Sequence, residues 1–158
     1  MTLPVLGFEA FEATPPEAYS GDPLWRTRMF RMATYLGARC STDVSRLGSR
    51  VSHHVAHQFV RAVCSVAANI AEGYSRGANS DRARFYSYAL GSVREALAWI
   101  DALGETPWSP RAEYRDLLVQ VRRQLLTAIK AMRLAHTDAR RGALTRAPIV
   151  HRNPGSES

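Results

Sequence analysis

The stretch CSVAANIAEGYSRGANSDRARF, Cys64 to Phe85, places Ser65, Asn69 and Glu72 at spacings of four and three within an apolar, helix-like run. Ser92 and Glu95 repeat the arrangement further on, beside Gly91. Residues three and four apart share one side of a helix. An amide and a carboxylate so placed can serve a metal site, a reaction, or a hydrogen-bonded contact. Metal chemistry is the least supported. Carboxylate di-iron bundles use Glu-x-x-His on two helices, but Ser75 follows Glu72 and Ala98 follows Glu95 at that spacing. His53 and His57 stand four apart, yet no cysteine or carboxylate lies beside them to complete a ligand set. The residues predict no bound metal and no cofactor.

Nucleophilic catalysis is no better supported. His57 lies two turns before Cys64, too far for a nucleophile–base pair. There is no Gly-x-Ser-x-Gly, no P-loop and no dinucleotide fingerprint. A non-enzymatic protein is expected. Binding remains. Arg61, Arg76, Arg82, Arg84 and Arg94 cluster around the same hairpin, and Arg122 and Arg123 follow later. The plainer reading is a solvated charged face with scattered ion pairs. The functional reading is a basic surface for a nucleic-acid backbone or an acidic partner. Tyr74, Tyr86 and Tyr88 stand near these arginines and suit base stacking or an interface edge.

Four segments carry the 3-to-4 apolar period that positions these residues. The first runs from about Leu24 to Arg39, with Trp25, Met29, Met32 and Leu36 on one stripe. The second, about Val51 to Gly73, carries Val55, Phe59, Ala62, Val66 and Ile70. The third starts after Ser80 with Phe85, Ala89, Ser92, Ala96, Ile100 and Leu103. The fourth follows TPWSP with Tyr114, Leu118, Val121, Leu125, Ala128 and Met132. Ser80 and Ser109 suit N-caps, and Gly73 and Gly104 suit helix ends. No segment alternates with period two. The expected fold is all-α, an antiparallel up-down-up-down four-helix bundle over residues 24–136.

In that bundle the polar residues have a structural role. Ser65, Asn69, Glu72, Ser92 and Glu95 would meet across the second and third helices and fix their register. Gly91 would allow close helix approach. Trp25, Trp99 and Trp108 are large groups that a single bundle need not cover, and self-assembly would bury some of them.

Charge divides the chain into three parts. Residues 1–23 carry −4 and contain TPPEAYSGDP, so an acidic, extended arm is expected. Residues 24–136 carry +9, and residues 137–158 carry +2 and are expected to form a flexible basic tail. No apolar run approaches the roughly 18 residues that span a bilayer. Cys40 and Cys64 read as two buried thiols in a reducing cytoplasm.

Residues 58–97, QFVRAVCSVAANIAEGYSRGANSDRARFYSYALGSVREAL, also carry a family resemblance. The chain resembles the four helix bundle proteins found as reading frames within intervening sequences of 23S ribosomal RNA genes. The matching positions are Gln58, Arg61, Ala62, Ser65, Val66, Asn69, Ile70, Ala71, Glu72, Gly73, Tyr74, Arg76, Ser80, Phe85, Gly91, Ser92 and Glu95. Ala67 stands where the family usually has proline, so the second helix should be less kinked. The resemblance implies a bacterial homo-oligomeric ring, commonly a pentamer. It also implies kinship with the accessory protein of diversity-generating retroelements, which binds a reverse transcriptase and nucleic acid. The combined expectation is a ring-forming accessory protein that binds RNA or DNA. The alternative is a scaffold that docks an acidic protein, such as a reverse transcriptase, without touching nucleic acid.

Overall fold

The computed structural model describes residues 7–145. A short helix α1 (Phe8–Ala13) is followed by four long ones: α2 (Arg28–Ser45), α3 (His53–Tyr74), α4 (Asn79–Ala102) and α5 (Arg111–Thr145). Single 3-10 turns at Glu17–Tyr19, Pro23–Arg26 and Gly48–Arg50 fill the connections. No strand occurs among the described residues. No helix among them is long and apolar enough to cross a membrane.

The apolar stripes meet in one core. Met32 and Leu36 of α2, Phe59, Val66 and Ile70 of α3, Ala89, Val93 and Ile100 of α4, and Tyr114, Val121 and Leu125 of α5 are all fully enclosed. Burying each large side chain contributes about 1.5–3 kcal/mol. Helices adjacent in the chain pack on one another, and α2 also packs on α5. Helix α3 runs unbroken through Ala67.

The caps differ in part from the sequence reading. The Ser52 hydroxyl accepts the Val55 amide at 3.3 Å and so starts α3. Helix α4 starts one residue before Ser80, with Ala78 at its N-cap and no side-chain cap. Gly104 does close α4, at φ +54°. Gly73 lies inside α3 rather than after it. A Cβ there would stand 2.6 Å from the Tyr86 ring, so this glycine admits α4 against α3. Gly91 has the reverse character: it is exposed, and a Cβ on it meets nothing within 4 Å. The close approach expected at Gly91 therefore occurs at Gly73.

The expected extended arm is corrected for residues 7–23. Phe8 is buried, and its ring lies 5.6 Å from that of Tyr35. Phe11 packs between Trp25 and Tyr35, at 5.6 and 5.4 Å. Tyr19 stacks on Trp25 at 5.5 Å and meets Phe30 edge-on at 5.2 Å. Glu12 faces Arg31 and Arg28 at 3.4 and 3.7 Å. Aromatic pairs contribute about 0.5–1.5 kcal/mol beyond their buried area, which is enough to hold a segment that lacks a period of its own. These contacts also cover Trp25. Trp108 is buried by Phe59 and Tyr114, and Trp99 is half-buried. Trp25 and Trp108 therefore need no second chain to cover them.

The C-terminal boundary moves as well. Helix α5 continues past residue 136 to Thr145, so the first part of the expected tail is helical. The remainder of that tail, residues 146–158, lies outside the described residues, as do residues 1–6.

Candidate nucleic-acid interface

The polar residues of the α3–α4 hairpin form contacts at the edge of the core. Asn69 Nδ2 donates to the Ser65 carbonyl at 2.8 Å and to Ser65 Oγ at 3.0 Å. Ser92 Oγ hydrogen-bonds Ser65 Oγ across the helices at 3.1 Å. Glu95 takes a bond from Arg61 across the same contact at 2.5 Å. Glu72 does not join them. It is exposed and pairs with Arg76 one turn on. The expected network is thus split, and it is half-exposed rather than buried.

The predicted arginines divide into two groups. Arg61 binds Gln58 and Glu95. Arg76 pairs with Glu72 and lies 4.8 Å above the Phe85 ring. Arg82 donates to the Tyr74 carbonyl at 3.4 Å, at the last residue of α3, and to the Arg76 carbonyl in the turn beyond at 2.9 Å. These three tie the hairpin together. Arg84 is looser: it faces Asp81 at 3.2 Å, lies 5.5 Å from the Phe85 ring centre, and is exposed. Arg94 and Arg123 are exposed and Arg122 is half-buried.

Arg84, Tyr88, Gly91 and Arg94 follow at spacings of four, three and three, and all are exposed along α4. Helix α5 continues this basic face. Between Asp116 and Asp138 it carries Arg122, Arg123, Lys130 and Arg133 and no acid, although Arg123 lines a separate cleft against Thr27 and Met29. The two helices meet in an open cleft of about 580 Å³, lined by Ser80, Ala83, Arg84, Ser87, Tyr88, Arg133, His136 and Thr137. Tyr88 is 53% exposed there and meets the Phe85 ring edge-on at 5.7 Å, which leaves part of its ring accessible for stacking. Cations beside an accessible aromatic ring suit a phosphate chain with splayed bases. Sequence reading did not single out Lys130, Arg133 and His136. The acid-free run from Asp116 to Asp138 was the available signal.

A second polar cluster went unread in the sequence. Asp43 is only 2% exposed. It accepts from Arg39 Nε at 2.7 Å and Tyr114 Oη at 3.0 Å, and faces Arg46 at 3.4 Å. Trp108 Nε1 donates to the Asp43 carbonyl at 3.2 Å. Tyr35 Oη donates to Glu113 at 2.7 Å, and Arg39 also reaches Glu113 at 3.0 Å. Burial, helped by the Glu113 bond, pushes the Tyr35 phenol up to about 12. Burial and Asp43 raise Tyr114 as well. Burial opposes the Arg39 charge, but Asp43 outweighs it and the Arg39 pKa is raised. The cluster joins α2 to α5 with its charges paired. The signals were Arg39–Asp43 at i,i+4 and a tyrosine on the α5 stripe.

The fold and surface define an all-helical protein with four long helices and a basic outer face. Residues 30–128 match the family model of the 23S rRNA-intervening sequence protein. The chain belongs to that family. No curated protein matches the chain.

Proposed function

We propose that this protein is a non-enzymatic accessory protein that binds RNA or DNA through the outer face of α4 and α5. The observation carrying this reading is the acid-free run of α5, with Arg133 and His136 set beside Arg84 and the exposed Tyr88. Phosphate contacts by such a face give affinity with little sequence preference. In this reading the four long helices run up-down-up-down, and several chains close into a cytoplasmic ring. Leu126 and Leu134, 46% and 57% exposed on α5, supply apolar surface for a neighbouring copy. Repetition of the basic face around a ring multiplies its avidity.

The same exposed leucines favour a second reading, in which the face docks an acidic protein such as a reverse transcriptase. Titration with structured RNA and with duplex DNA at two salt concentrations separates the two. The first reading requires binding at low salt that weakens steeply as salt rises. Absence of binding at low salt removes it and leaves the scaffold. Light scattering tests the ring, and a monomer mass at micromolar concentration refutes it.

A further inference from the structure

We propose that Cys40 and Cys64 form a two-thiol modification site, which a hydroperoxide converts to an intramolecular disulfide tying α2 to α3. The two sulfurs lie 3.8 Å apart, although 24 residues separate them in sequence. Both point at one carbonyl, that of Gly37, with Sγ to O distances of 3.3 Å for Cys40 and 3.9 Å for Cys64. Gly37 permits this convergence. A Cβ built on it lies 4.0 Å from the Cys64 Cα, so the two helix backbones come close beside the thiols. Closing the gap to a disulfide needs a sulfur displacement of about 1.8 Å. The Cys64 side chain can supply it, because Cys64 is on the exposed side of α3 while Cys40 is buried.

Access and reactivity are divided between the two. A cleft of about 290 Å³, lined in part by Tyr19, Thr34, Gly37, Cys64, Ala67 and Ala71, opens onto Cys64. The sulfur that meets an oxidant first is therefore that of Cys64. Its thiolate attacks one peroxide oxygen, the O–O bond breaks, and the departing oxygen leaves as water or alcohol after taking a proton. Cys64 is then a sulfenic acid. Cys40 Sγ attacks Cys64 Sγ, the S–O bond breaks, and the hydroxide leaves with the Cys40 proton as water. Two electrons pass from the thiols to the peroxide, so no further reductant or oxidant is needed. Tyr19 lines the cleft, so the packed N-terminal segment forms part of its wall.

The experiment uses the full chain, reduced, freed of reductant and exposed to hydrogen peroxide. Intact mass and alkylatable thiols are then measured under denaturing conditions. The expected product is a single chain lighter by about 2 Da, with both thiols lost together and both restored by dithiothreitol. Oxygen added at Cys64 with Cys40 still alkylatable would overturn the proposal. So would two chains linked by a disulfide, or two thiols that both remain alkylatable. In Cys40→Ala the sulfenic acid on Cys64 should persist and be trapped by dimedone. If that variant does not fold, the mass of the parent chain alone decides.

Discussion

Exchange of glycine for alanine should have opposite effects at two positions of the α3–α4 hairpin. At Gly73 the new Cβ would lie 2.6 and 2.7 Å from two Tyr86 ring carbons and 3.1 Å from the Phe85 Cβ. Tyr86 is 3% exposed and has core on its far side, so the ring cannot simply swing away. Overpacking of this kind costs about 1–3 kcal/mol. The gain in helix propensity returns about 1 kcal/mol. Two contacts this short put the cost toward the upper end of the overpacking range, so Gly73→Ala should destabilise by up to about 2 kcal/mol net, or up to roughly 8 °C in Tm for a chain of this size. At Gly91 the Cβ enters open space, so Gly91→Ala keeps the propensity gain and should stabilise by about 0.5–1 kcal/mol. Thermal and urea melts of both variants, followed by circular dichroism, measure the pair. An unchanged Gly73→Ala would refute the close-approach reasoning. A loss at Gly91 would mean that another chain occupies the space beside it.

Asp43→Ala should cost about 1–3 kcal/mol, because Arg39 Nε and the buried Tyr114 hydroxyl would lose their acceptor while Arg39 keeps Glu113; a urea melt measures it. Alkaline pH should weaken the fold in a defined window. Cys40, pushed up to about 12 chiefly by burial, and Tyr35, also at about 12, stay neutral when folded but ionise near their ordinary values when unfolded. Their contribution is complete below pH about 9, falls as pH rises, and is gone above about 12. Stability measured from pH 7 to 11 should decline from about 9, and a flat profile would contradict the burial of these groups. Glu72→Ala should change stability by less than about 1 kcal/mol, since its pair with Arg76 is exposed. Asn69→Ala should cost about 1 kcal/mol, because it loses the two bonds to Ser65. Melts of these two variants side by side test whether the hairpin contacts are structural.

The four long helices were legible because each buries one stripe at a fixed period, and a period is a property of sequence alone. Phe8, Phe11 and Tyr19 have no such period. They are held by Trp25, Phe30 and Tyr35, which belong to later segments, and the prolines between them read locally as a loop. Helix α5 outran its apolar stripe for a related reason. From Arg133 to Ala139 its residues are exposed, yet the helix runs on to Thr145, where the described residues end. At the candidate interface, residue type identified the arginines but not their partners. Arg82 looked available in sequence and proves to tie the end of α3 to the turn after it, because it binds the carbonyls of Tyr74, the last residue of α3, and of Arg76 beyond it. The Asp43 cluster joins residues up to 78 apart, a distance at which pattern gives no warning.

The central claim is that the α4–α5 face carries nucleic-acid binding. Its most direct test is the salt dependence of binding by Arg84→Glu/Arg133→Glu, measured beside the parent on one duplex DNA and one structured RNA. Neither residue is enclosed in the core, so the variant should keep its helical signal and melting profile. Each lost phosphate contact lowers the slope of log affinity against log salt by about 1. The variant should therefore bind more weakly at low salt, with a slope reduced by about 2 per bound chain. A folded variant whose affinity and slope match the parent's would contradict the account, because the basic face would then be only a solvated surface.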